Sequence, residues 1–244
     1  MSFDITQHFH KLSVLDKGHV DFFDGMVSDP KIKIANAARV SFHKEVQELS
    51  DKDIKLINFL YKNEHFSTFR HSFFSFRVKA PLMVFRQWWK YSIGSEFIEN
   101  ENVGTIELPE TNWNEVSGRY VEFEPEFYIP NEIRIQSKSN KQGSDGKLLA
   151  LQDGEDPIKF FDDSCNILYG RYMYMVKSGA AKEQARSLLP QNIYSECVWT
   201  CSLQCLLYFL HQRLKSDAQF EIRQYAKAIA ELIMPLLKPL DIMM

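Results

Sequence analysis

The sequence predicts a mixed α+β fold, a central sheet flanked by helices in one domain spanning residues 1–244. Two periodicities carry that prediction. Phe74, Phe76, Val78 and Ala80 alternate with Ser75, Arg77 and Lys79, the two-residue repeat of a strand with one buried face. Apolar residues near a 3.6-residue repeat mark helices at Ile54, Ile57, Leu60 and Tyr61, and again at Leu203, Leu206, Leu207, Leu210 and Leu214. Strand and helix signals mix without a regular order and no internal repeat is present. With 244 residues, 45% hydrophobic and 14% aromatic, the chain can bury one substantial core or two small ones.

In chain order, Ser50 with Asp53 forms a capping-box pattern ahead of the helix in DKDIKLINFLYKN. Pro81 closes the strand that follows and suits the first turn of a helix, so PLMVFRQWWKY reads as helical, with Arg86/Lys90 and Gln87/Tyr91 as i,i+4 neighbours. From about Ile93 to Trp113 the chain is rich in Glu, Asn and Gly without a period, an irregular excursion expected to cover or border a site. RIQSKSNKQGSDGKLLALQDGED has the composition of a mobile surface loop. AAKEQARSLL reads as a helix stopped before Pro190, and IYSECVW as a strand. Ser216 with Gln219 fits a cap for a last helix containing Ile222, Tyr225, Ala226 and Ile229.

The formal net charge of −3 gives no global attraction to nucleic acid or an anionic membrane, so an anionic ligand must be held by a local cluster. A small phosphorylated ligand fits that better than a polymer. FRQWWKY is a basic aromatic strip of the kind that binds single strands, but its basic residues are few, and no nucleic-acid partner is expected. The N-terminus lacks a basic start and apolar run, and no stretch approaches the ~18 consecutive apolar residues of a membrane span; a soluble, cytoplasmic protein is expected. Cys197, Cys201 and Cys205 recur every fourth residue, which stacks them on one helical face if the helix extends that far back. No His or carboxylate falls in step with them, so buried reduced thiols are expected there and no metal.

Several arginines sit in segments otherwise devoted to burial: Arg86 beside two tryptophans, Arg119 after Ser117 and Gly118, Arg186 near a helix end, and Arg213 after the leucine stripe. Forked guanidinium donors grip phosphate or the imide edge of a pyrimidine, so converging arginines make a nucleotide site. Each alone also fits a salt-bridged or snorkelling side chain.

The ordered strings HFSTF, FRQWWKY, NEVSGRY, ARSLLPQNIYSE and LHQRLKSDAQFEIRQYA resemble the successive conserved blocks of the flavin-dependent thymidylate synthase family, and DKGHVDFFDGMVSD and IANAARVSF are similar to its N-terminal block. Together they run from about Leu15 to Leu236. The resemblance implies the family's fold and an enzyme that converts dUMP to dTMP with 5,10-methylenetetrahydrofolate, NADPH and bound FAD, assembled as a homotetramer whose sites draw on more than one subunit. It places dUMP against Arg86, Gln87, Glu115, Ser117, Gly118, Arg119, Arg186 and Arg213, with phosphate near Ser117 and Arg119. It sets Arg213 on the uracil ring, where a cation favours ionisation at N3 and raises nucleophilicity at C5. It places the flavin against His65, Ser67, Lys90, Tyr91, Glu115, Ser202, Gln204 and Tyr208. Ser117 is nucleophilic by type, but its place beside Arg119 fits phosphate binding better than covalent catalysis.

The departures from the family pattern fall on the flavin side. Lys90, Tyr91 and Ser92 stand where the family has Arg-His-Arg, Ser202, Leu203 and Gln204 where it has Asn-Leu-Arg, and Asp217 where a histidine is common. With the long stretch before NEVSGRY and the later KQGS they resemble a divergent subgroup. Tyr91 still offers a ring to stack and Lys90 a cation. Two alternatives keep the pyrimidine-nucleotide site: hydroxymethyl rather than methyl transfer, and binding without catalysis. The other class of thymidylate synthase uses a cysteine that follows proline, and none of the four cysteines here does.

Overall fold

The computed structural model describes residues 4–91, 112–139 and 143–242. Strands β1 (Lys11–Val14) and β2 (Gly18–Gly25) form a hairpin. Helix α1 (Pro30–Arg39) starts where Asp29 accepts from the Lys31 N–H and Pro30 presets the first turn. After α2 (Asp51–Lys62) a 3-10 segment, Phe66–His71, leads into β3 (Phe73–Pro81), which passes directly into α3 (Leu82–Trp88). Then come β4 (Trp113–Glu115), the pair β5 (Arg134–Gln136) and β6 (Ser144–Leu148), α4 (Pro157–Lys177) and the short α5 (Lys182–Ala185). Strand β7 (Tyr194–Ser202) runs straight into α6 (Leu203–Arg213), and α7 (Phe220–Leu237) closes the fold.

The architecture is the mixed α+β fold that the two periodicities predict. The main sheet has the order β1-β2-β3-β7-β4, paired antiparallel throughout, with β3 at its centre. The β3–β7 ladder runs from Phe73↔Ser202 to Pro81↔Tyr194, so both strands discharge helices, at opposite ends of the sheet. One sheet face carries Val20, Phe22, Phe74, Phe76, Val78, Cys197, Trp199 and Cys201, all buried. Helices α3, α6 and α7 cover it through Trp88, Phe209 and Tyr225; Trp88 stacks on Phe209 at 4.8 Å and meets Trp199 edge-on at 5.4 Å. Each large apolar side chain so buried is worth roughly 1.5–3 kcal/mol, which makes this aromatic layer the main anchor of α3 and α6. Gly18 is required at the sheet margin, because a Cβ there would lie 2.0 Å from the Tyr225 hydroxyl and 2.7 Å from the Lys79 carbonyl that this hydroxyl donates to. A smaller apolar cluster of Phe123, Phe127, Cys165 and Ile193 seats α4.

The capping-box residues meet at the start of α2 as the sequence predicts, the Ser50 N–H and hydroxyl both donating to Asp53 Oδ2, at 2.9 and 2.6 Å. Asp53 is buried and also pairs with Arg39 of α1. The Ser50 hydroxyl above all, and then the Arg39 guanidinium, hold its carboxyl below the usual range. A depressed carboxylate contributes stability that is present above its unfolded pKa of ~3.9 and lost as pH falls through its folded value. Asp53→Ala is therefore expected to cost about 2 kcal/mol at pH 7, from the lost cap and the stranded arginine. In urea melts the gap to wild type should close as pH drops below ~4; a gap unchanged at low pH would contradict this account.

Four local expectations are corrected. The helix after Pro81 ends at Trp88, with Pro81 still in the strand, so Lys90 and Tyr91 lie beyond it and are not helical partners of Arg86 and Gln87. The chain instead turns, Tyr91 N–H donating to Trp88 O at 2.9 Å, and Tyr91 is buried while its carbonyl accepts from Trp199 Nε1 at 2.9 Å. Within 134–156, β5 and β6 pair as a hairpin where a loop is expected, joined further by Leu149 N–H to Ile133 O at 2.7 Å. Cys197 and Cys201 lie on β7 rather than a helix, because pairing with β3 holds the chain extended through Ser202; only Cys205 is helical. All four cysteines are buried and none is in a disulfide. Gln219, not Ser216, occupies the N-cap of α7, and its side chain makes no cap hydrogen bond. Residues 92–111 of the expected excursion lie outside the described residues, while Trp113 at its end pairs with Trp199.

Candidate functional site

Arg213 ends α6, the leucine-rich helix whose buried face fixes its direction, so the guanidinium is delivered to the C-terminal end of α3. There its Nη2 donates to Gln87 O at 3.1 Å and its planar group lies 5.4 Å from the centre of the Tyr91 ring. Its Nε is buried without a partner among the described residues, and no carboxylate among them pairs with it. A half-buried cation supported by a carbonyl and by Tyr91, with no carboxylate partner among the described residues, keeps its remaining guanidinium donors for an acceptor from outside the chain. Burial raises the Tyr91 pKa, and the Arg213 cation opposes that rise.

The Gln87 amide donates to Gln219 Oε1 at 2.5 Å, and Gln219 Nε2 donates to Glu221 at 2.8 Å. The sequence offers Gln219 as a cap, and a further signal is its place within LHQRLKSDAQFEIRQYA, one of the strings that carry the resemblance. Arg86 and Lys90, on either side of this group in sequence, are exposed.

A second group forms where β4 ends. Val116 N–H donates to Glu196 O at 2.8 Å, which holds the chain to β7 before it turns through Ser117–Arg119. Arg119 N–H donates to Ser117 Oγ at 3.3 Å, leaving the hydroxyl proton of Ser117 available as a donor. Gly118 is buried, and a Cβ there would lie 2.6 Å from the Phe123 ring and 3.2 Å from Arg186 Cδ, so the turn and Arg186 pack together only because residue 118 has no side chain. Arg119 lies 3.8 Å from Glu183, an exposed pair of small energetic weight. Glu115 has its pKa raised by desolvation, opposed by hydrogen bonds from Trp113 and Ser195 and then by the Arg186 charge. Two exposed guanidinium groups, a hydroxyl and a close-approach glycine thus meet at one turn.

The residues that the resemblance assigns to the flavin fall on one flank of α6. Gln204 and Tyr208 are one helical turn apart, Tyr208 is 58% exposed, and its ring lies 5.8 Å from that of Tyr91. Gln204 Oε1 accepts from Arg70 Nε at 2.5 Å, tying α6 to the 3-10 segment that bears Ser67 and follows His65, both exposed. Ser202 differs: it is wholly buried and its Oγ caps α6 by accepting from the Cys205 N–H. The Tyr91 ring joins this flank to the Arg213 group. Among the described residues no group of three or more His, Cys, Asp or Glu side chains is placed to hold a metal, and no helix is long and apolar enough to cross a membrane.

The family model described as thymidylate synthase complementing protein matches residues 24–237. A flavin-dependent thymidylate synthase from Thermus thermophilus is 39% identical over 222 residues, covering 91% of this chain and 73% of its own. The corresponding protein from Thermotoga neapolitana is 36% identical over 222 residues, covering 91% and 88%. Among solved structures, a UMP/dUMP methylase PolB from Streptomyces cacaoi bound with 5-Br dUMP superposes with a TM-score of 0.72 at 23% identity, covering 92% of this chain and 93% of that one. At that identity the likeness is one of fold.

Proposed function

Because the chain belongs to the thymidylate synthase complementing protein family, the enzyme family of flavin-dependent thymidylate synthases, we propose that it methylates dUMP reductively to dTMP with 5,10-methylenetetrahydrofolate, NADPH and FAD. The observation that carries the reading is Arg213: a half-buried cation set on the Gln87 carbonyl and the Tyr91 ring, with no carboxylate partner among the described residues.

In this reading Arg213 meets the carbonyl edge of uracil. A cation there favours loss of the N3 proton, and the anionic ring is more nucleophilic at C5 toward the folate carbon. Gln87 lies beside it on the same edge. The phosphate goes to the turn Ser117–Arg119 with Arg186, where the Ser117 hydroxyl and two guanidinium groups supply charge-assisted donors and Gly118 lets Arg186 pack against the turn. Ser117 acts by binding. Glu115 stands next to Arg186 with its proton held more tightly than usual.

The residues on the flank of α6 suit a flavin in part. Tyr208 offers an exposed ring for a planar heterocycle, with the buried Tyr91 ring behind it, and Gln204, Lys90, His65 and Ser67 offer polar contacts; Ser202 would serve through the helix it caps. The flavin, when bound, supplies the hydride that completes the methyl group. Homotetrameric assembly belongs to the same proposal. It is supported by α4, which buries only Cys165 and Tyr172 and leaves Phe160, Ile167 and Tyr174 exposed at seven-residue spacing. A cytoplasmic setting accords with four buried cysteines outside any disulfide.

The test is an absorption spectrum of the purified chain before and after adding FAD, then NADPH oxidation with and without dUMP, with the product weighed and the particle mass taken by light scattering. Bound flavin reduced faster with dUMP, a product with the mass of dTMP and a particle of four chains are expected. Well-folded protein that binds dUMP but no flavin would overturn the reaction, and a product heavier by one oxygen would replace methyl with hydroxymethyl transfer.

A further inference from the structure

Glu221 is buried in the first turn of α7, and its two oxygens are both spoken for: Oε2 accepts from Gln219 Nε2 at 2.8 Å and Oε1 from the Tyr128 hydroxyl at 3.3 Å. An ionised carboxylate only accepts, so it fixes which way the Gln219 amide points: NH₂ toward Glu221, carbonyl away. That carbonyl in turn accepts from Gln87 Nε2 at 2.5 Å. Gln87 must therefore turn its NH₂ toward Gln219, and its Oε1, which no described residue approaches as a donor, is the end left for a ligand. The orientation follows by elimination from the carboxylate, link by link. Arg213 holds the backbone of the same residue through Nη2 to Gln87 O at 3.1 Å, so the side chain is anchored at both ends.

We propose that Glu221 and Gln219 act as positioning residues that set the hydrogen-bond polarity of Gln87, and that the acceptor so presented selects uracil over cytosine. The inference rests on the reading above, in which Gln87 and Arg213 face the pyrimidine. The chemistry of the two bases decides the rest. Uracil shows acceptor, donor, acceptor at O2, N3–H and O4, so Arg213 donates to a carbonyl while the single ring donor, N3–H, finds Gln87 Oε1. Cytosine shows a lone pair at N3 and an amine at position 4, and would set a lone pair against Gln87 Oε1 and an amine against a guanidinium. A site built to accept one N–H rejects the isostere lacking it more strongly than shape alone allows. The choice is made on the neutral ring as it binds, before Arg213 favours loss of the N3 proton.

The test compares dissociation constants of dUMP and dCMP, which share sugar and phosphate, for the full chain by titration calorimetry. Wild type is expected to prefer dUMP by about a hundredfold or more. Glu221→Gln keeps the shape but lets both amides flip, and should cut the preference by about tenfold or more, chiefly by tightening dCMP. Gln219→Leu breaks the relay at an exposed position and should do the same without the risk that a buried change unfolds the chain. Tyr128→Phe leaves the carboxylate on Gln219 and should preserve the preference. If wild type and both relay variants bind dUMP with the preference unchanged, the relay is refuted while the site stands. If wild type binds neither nucleotide, the reading of the site falls and the relay with it.

Discussion

Arg213→Ala is expected to lower kcat for dTMP formation by about 10²–10³, the range seen when a donor aimed at developing charge is removed. Among the described residues no carboxylate pairs with the cation: its polar contacts are the Gln87 carbonyl and the Tyr91 hydroxyl, and its charge lies over the Tyr91 ring. Truncation thus removes the charge from the ring edge without breaking an ion pair. Arg213→Lys keeps the charge but loses the planar fork and the stacking, and should recover only part of the rate. Weaker dUMP binding accompanies both, but the fall in kcat at saturating dUMP identifies an interaction made in the transition state. A variant with full kcat and only a raised KM would reduce Arg213 to a binding contact. Burial raises Tyr91 and Arg213 restrains it, so removing the cation should also push the Tyr91 pKa further up, readable in an ultraviolet pH titration against a Tyr91→Phe control.

What the sequence reveals of this arrangement follows from range. Helix α2, strand β3 and helices α6 and α7 announce themselves because one face of each is buried along its length, and burial writes a period. Helix α4 does not: only Cys165 and Tyr172 of its residues are buried, so its apolar residues spread around the axis. Its one clear local signal is Asp156 followed by Pro157, with the Asp156 side chain accepting from the Ile158 N–H. Strand β4 has three residues and owes its existence to β7, not to its own pattern. The arginines are recognisable by type, and the ordered strings suggest what they hold. Their grouping is not legible, since Gln87 meets Gln219 across 132 positions and Gly118 meets Arg186 through a turn that only the β4–β7 pairing brings into place. Gln219 escapes a sequence reading for the same reason: its partners, Gln87 on one side and Glu221 on the other, become a chain only when α3 and α7 come together.

Trp88→Ala should be the most damaging single change to the fold, at about 3–5 kcal/mol. Trp88 is wholly buried and its ring touches Phe209 of α6, Trp199 of β7, Tyr225 of α7 and Trp113 of β4, with centroids 4.8 to 6.5 Å away. Four elements thus lose contacts together, and aromatic neighbours fixed on separate elements cannot all move in to fill the space. Against a total stability of ~5–15 kcal/mol this is a large fraction, and the melting temperature should fall by about 10 °C or more. The indole Nε1 is buried without a partner among the described residues. Trp88→Phe therefore gives up ring volume but no hydrogen bond, removes an unsatisfied donor, and should cost less than about 2 kcal/mol. Gln87 precedes this residue and Tyr91 turns back over it, Tyr91 N–H donating to Trp88 O at 2.9 Å. The loss should consequently reach the site: a shift of ~1 Å in a positioning group can cost about 10² in rate, so alanine at 88 should impair turnover even at temperatures where the variant stays folded. If the alanine variant melts within a degree or two of wild type, the packing of α3 onto the sheet does not depend on this layer, and the placement of Gln87 and Arg213 must be secured elsewhere.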